Sequence, residues 1–164
     1  MKITISLCYL ALAVLPATAE LKPTPLTGTW RITEVKTAGP NAHTSSNPQP
    51  GLYIFTGGYF SAMSVYAESP RPDVIIRQKD LATASAADLV AAWGGFSGYC
   101  GTYSISGDAV SLKAVVSMQP RPMTRGEAIV YSFKVEGNKL TLVPLRDANG
   151  PIVNGTIITL TRVE

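Results

Sequence analysis

Between Gly28 and Val163 apolar and polar residues take alternate positions in a series of short runs. In one run Val110, Leu112, Ala114, Val116 and Met118 share a phase, and Ser111, Lys113 and Ser117 take the other. In the next, Ile129, Tyr131, Phe133 and Val135 oppose Ala128, Ser132 and Lys134. Earlier, Tyr99, Tyr103 and Ile105 oppose Thr102 and Ser104. A period of two is that of a strand with one dry face and one wet face. The pattern predicts eight strands: Gly28–Lys36, Leu52–Thr56, Tyr59–Glu68, Tyr99–Ser106, Ala109–Met118, Ala128–Val135, Lys139–Leu145 and Thr156–Val163.

The connections alternate between tight and long. Gly57-Gly58, Ser106-Gly107-Asp108 and Glu136-Gly137-Asn138 supply the glycine and Asx residues that tight hairpins need. Residues 37–51, 69–98, 119–127 and 146–155 are the long connections. Successive turns of an up-and-down sheet lie at opposite ends. The expected fold is therefore all-β: an eight-stranded up-and-down antiparallel barrel, hairpins at the closed end and long loops around a mouth.

One short helix is expected between the third and fourth strands. Ser85 stands three before Asp88 as a capping box would require, and Gly94-Gly95 supplies a stop. Ala86, Leu89, Val90 and Trp93 then share a face. Packing against the wall and a lid with Trp93 on a ligand both fit this placement. Pro70-Arg71-Pro72 and Pro120-Arg121-Pro122 are expected to stiffen rim loops.

Residues 1–19 read as a signal peptide: Lys2, the apolar run Ile3–Leu15, and a small-residue cleavage site ending at Ala19. Cleavage would leave an extended lead-in over 20–27 and a single domain over 28–164, secreted or periplasmic, with no membrane contact afterwards. The net charge of +3 loses one unit with Lys2, and no Lys/Arg run exists. Nucleic acid is therefore not an expected partner. Of the two cysteines only Cys100 would remain, so no internal disulfide forms and stability must come from the core.

Gly28-Thr29-Trp30 opens the first strand and Arg162 nearly ends the last. Closure would make those strands neighbours and set the guanidinium over the indole, a structural pair. Gly-x-Trp with a late covering arginine resembles the lipocalin and calycin pattern. The chain is also similar to the lipocalin-like domain proteins of bacteria and fungi over about Leu26–Glu164. The pieces are Leu26–Trp30, Pro50–Thr56, Gly58–Ser61, Gly101-Thr102-Tyr103, Leu140-Thr141-Leu142 and Leu160-Thr161-Arg162. That resemblance implies a ligand-cup barrel with a helical insert after the third strand. Where many such relatives carry histidines in the fifth strand, this chain has Leu112-Lys113, and it lacks the long helix that follows the barrel in true lipocalins.

Catalytic chemistry has little to stand on. His43 is the only histidine, so no Ser-His-Asp or Cys-His pair forms, and no metal-ligand spacing occurs. No cofactor motif is present. The expected function is an exported protein holding an apolar or amphipathic small molecule. Lining candidates, chosen from bulky faces, are Tyr53, Phe55, Met63, Trp93, Tyr103, Leu112, Met118, Tyr131 and Phe133. Arg121 and Arg125 are candidates for a head group at a rim that also carries Arg71, Arg77, Lys79 and Arg146 against Asp73, Asp80, Asp88, Glu127 and Asp147. Two other readings fit the same residues. One is a barrel enzyme, of isomerase or cyclase type, using Tyr, Arg and the carboxylate of Glu34, which shares the phase of Trp30 and Ile32 unless strand twist or a bulge near the mouth turns it to solvent. The other is a barrel filled by its own side chains.

Overall fold

A computed structural model describes residues 23–67, 69–71, 73, 77 and 80–164. The expected signal peptide and cleavage site, the start of the expected lead-in, and Glu68, Pro72 and Lys79 lie outside the described residues. Ten strands and two helices follow in order. They are β1 (Gly28–Thr37), β2 (His43–Ser45), β3 (Gly51–Thr56), β4 (Tyr59–Val65), α1 (Ala86–Trp93), β5 (Phe96–Ser106) and β6 (Ala109–Ser117). Then come α2 (Pro120–Arg125), β7 (Ile129–Glu136), β8 (Lys139–Asp147), β9 (Gly150–Pro151) and β10 (Ile157–Arg162).

The sheet closes. β1 pairs with β3 on one side and β10 on the other, with Trp30 opposite Arg162. β10 also pairs with β8. The cycle β1-β3-β4-β5-β6-β7-β8-β10 is thus an eight-stranded antiparallel barrel, and a two-sheet sandwich is excluded. Gly57 and Gly58, with φ of 55° and 80°, make the two-residue turn between β3 and β4 that residues with a Cβ rarely adopt. The other hairpins lie at the same end.

Each mouth connection carries structure of its own. β2 folds back on β1 and β9 on β8. In α1 Ser85 caps the helix, its hydroxyl receiving the Asp88 amide while the Asp88 carboxylate reaches back. No residue of α1 is buried, so its apolar face does not pack into the wall. The second helix, α2, stands where only a stiff loop was expected. Pro120 enters at the first turn, where its missing N–H costs nothing, and Gly126 ends the helix in the left-handed conformation.

The lead-in does more than extend. Residues 24–27 turn under the closed end, with the Thr27 amide bonded to the Thr24 carbonyl. Leu26 is fully buried, and its carbonyl accepts the Trp30 indole N–H at 2.7 Å. Arg162 lies over that indole, 4.0 Å from the ring centroid, and donates to the Thr27 carbonyl at 2.5 Å. Thr24 meets the Tyr103 hydroxyl at 2.9 Å. The barrel floor is thereby sealed.

Register shifts interrupt three pairings, between Ile32 and Glu34, Cys100 and Gly101, and Val130 and Tyr131. All three fall in the mouth half. A bulge turns every later side chain to the opposite face, and here the bulges decide what lines the cup.

Candidate functional site

The inward residues change character from floor to mouth. In the lower half Trp30, Phe55, Val110, Leu112, Leu140, Leu142 and Leu160 are each less than 2% exposed and leave no room for a guest. Phe55 packs edge-on to Tyr103 with centroids 5.2 Å apart. In the upper half the inward positions on β4, β5 and β6 hold Ser64, Ser97, Ala114 and Ser117 instead. The opposite wall presents Val35, Ile129, Pro144 and Ile158. Above the packed core the barrel is therefore lined by short side chains on one side and apolar ones on the other.

Three tyrosines mark the boundary between these halves. Tyr53 on β3 and Tyr99 on β5 both pair with Ala62, whose small side chain separates them. Tyr131 enters from β7 opposite Pro144. Phe60 braces the Tyr99 ring in a T-shaped contact at 5.4 Å. Burial pushes all three phenols above their usual range; the neighbouring Tyr131 raises Tyr53 and Tyr99 further, whereas the hydrogen bond with Tyr99 draws Tyr53 and Tyr131 part of the way back. The Asp147 carboxylate raises Tyr131 further. These hydroxyls are neutral donors at any physiological pH. No charged side chain is buried among the described residues.

The β6–β7 seam adds a feature at the mouth. β7 pairs only with Ala109–Leu112 of β6, whereas β5 follows β6 up to Ser117. α2 lies against β6 beside this unzipped stretch. It is tied across the rim, because Arg121 donates to Asn149 at 2.5 Å and the Asn149 amide donates to Asp147 at 2.7 Å.

Of the predicted lining residues, Tyr53 and Tyr131 face inward where the short side chains begin. Phe55, Tyr103, Leu112 and Phe133 face inward in the packed lower half. Met63 does not face in: Phe60 and Ala62 hold the inward phase of β4, and Met63 sits on the outer wall opposite Leu52, 54% exposed. Met118 is turned away by the shift at Gly101, which places Ser117, not Val116 or Met118, opposite the inward Tyr99. Trp93 is 41% exposed on α1. Arg121 is engaged by Asn149, and Arg125 sits exposed in the last turn of α2.

Glu34 is turned outward in the same way, by a bulge near the mouth. The shift after Ile32 sets it opposite Thr159, in the outward phase, and Val35 takes the inward place opposite Ile158. Glu34 lies in a polar outer groove with Thr33, Ser46 and Lys139. Glu34 therefore does not supply an inward carboxylate. Tyr99 was the missed residue; its alternation with Tyr103 and Ile105 was the signal that could have placed it on the lining.

Among the curated proteins nothing matches this chain. A lipocalin-like protein from Bacteroides uniformis superposes with a TM-score of 0.46 at 16% identity, covering 85% of this chain and 99% of its own. An uncharacterized protein from Bacteroides eggerthii gives 0.43 at 13% identity, covering 84% and 98%. The family model described as the lipocalin-like domain matches residues 27–160, which span the whole barrel from the turn below β1 into β10. The chain belongs to the lipocalin-like domain family.

Proposed function

We propose that this is an exported binding protein that holds one small, mainly apolar molecule in the mouth half of its barrel. The observation that carries this reading is the switch from a packed lower core to short inward side chains above a tyrosine floor. A barrel built only for stability gains by filling its upper layers with Leu and Phe as it fills the lower ones. Ser64, Ser97 and Ser117 forgo that gain. Pockets for small ligands combine apolar walls with a few polar groups that fix orientation, and the upper barrel has both. Export rests on the leader-like residues 1–19.

The test is a titration with a neutral lipophilic dye, N-phenyl-1-naphthylamine, against the wild type and Ser117→Phe. Ser117 is partly exposed at the inner rim, so a phenyl ring there fills space without displacing the core. Saturable 1:1 binding is expected, weakened about tenfold or more by the substitution, a loss of about 1.4 kcal/mol. The thermal midpoint should stay within a few degrees. Equal affinities in the two proteins would place the dye elsewhere, and no binding to either would remove the reading.

A further inference from the structure

We propose that the guest is an uncharged molecule with an accepting oxygen, a ketone or ester carbonyl, seated on the hydroxyls of Tyr53, Tyr99 and Tyr131, and that the same floor rejects carboxylates. This rests on the binding reading above and narrows it to a chemical class. Tyr53, Tyr99 and Tyr131 enter from three separate strands where the inward side chains become short, and their hydroxyls are linked to one another through Tyr99. Each stays protonated across physiological pH, because burial opposes the phenolate. A chain of three linked hydroxyls has one O–H left over, and a carbonyl oxygen arriving there can accept it and leave no polar group unsatisfied.

A carboxylate meets a different balance. It would shed its water for a site where no buried cation is present among the described residues. Removing an ion from water without a paired charge is far more costly than burying a neutral carbonyl that gains a hydrogen bond. The charge that bears on Tyr131, the Asp147 carboxylate, is also of the wrong sign. Arg121 stands at the exposed rim, where it donates to Asn149.

The experiment displaces bound N-phenyl-1-naphthylamine at neutral pH with dodecanoic acid, methyl dodecanoate and dodecylbenzene. It is repeated on Tyr53→Phe, Tyr99→Phe and Tyr131→Phe, which delete only a hydroxyl. The ester should bind about tenfold or more tighter than the acid. At least one Tyr→Phe change should weaken the ester several-fold and leave dodecylbenzene unchanged. Thermal melts on each variant separate lost binding from lost folding. Acid binding as tightly as ester, or an ester indifferent to all three changes, overturns this inference while the cup remains. Failure of the dye and of all three compounds overturns the cup itself.

Discussion

Trp30→Ala is expected to remove most of the stability of the fold. The indole is completely buried, and it is the point where the lead-in, β1 and β10 are joined. Truncating a buried Trp to Ala costs about 3–5 kcal/mol from lost burial and the cavity left behind. Two further losses attach to this residue. The Leu26 carbonyl loses its indole donor, and Arg162 loses the ring it covers, a contact worth about 0.5–2 kcal/mol. Against a total of about 5–15 kcal/mol for an ordinary domain, the variant should be near its unfolding midpoint at room temperature. Trp30→Phe keeps most of the volume and should lose clearly less. Urea denaturation followed by circular dichroism checks both. A Trp30→Ala protein within about 1 kcal/mol of wild type would contradict the role given to the sealed floor.

Gly101→Ala is expected to destabilise by about 2–3 kcal/mol or more, although it adds a single methyl. A Cβ on Gly101 would lie 2.0 Å from the Lys113 carbonyl oxygen and 2.8 Å from the Val115 nitrogen. Both are backbone atoms of the adjacent strand and cannot swing aside as a flexible side chain would. The glycine thus permits the close approach at the register shift between β5 and β6. That shift aims Ser117 inward opposite Tyr99, so the variant should also lose dye affinity beyond its loss of stability. Gly107→Ala is the control. Its φ of 60° costs strain but no atom lies within 4 Å, and about 1 kcal/mol is expected. Thermal and urea unfolding of the two variants should rank them in that order.

What the sequence disclosed and what it hid divide along physical lines. All eight barrel strands follow from period-two alternation, because a wall with one dry face must alternate. Helix α1 follows from Ser85 and Asp88, because a capping box is a local pattern. α2 was hidden behind Pro120 and Pro122: prolines break helix interiors but are welcome in a first turn, and the residues alone do not say which applies. β2 and β9, of three and two residues, are too short to display a period. The bulges left the weakest trace. One inserted residue reverses inside and outside for the rest of a strand, and that is why Glu34 and Met118 lie on faces opposite to those their alternation suggested. Met63 has another cause, since its bulk suggested the interior whereas its phase with Phe60 and Ala62 set it outside. The closed end was therefore readable, and the lining of the mouth, shaped by three register shifts, was readable only in part.

The most direct test of the central claim is native mass spectrometry of the protein purified from its own host, beside Ser117→Phe prepared identically. The account predicts a fraction of wild-type molecules carrying one discrete added mass of a small organic compound, released on denaturation and diminished in Ser117→Phe. An empty wild-type protein that also fails to take up N-phenyl-1-naphthylamine would contradict it.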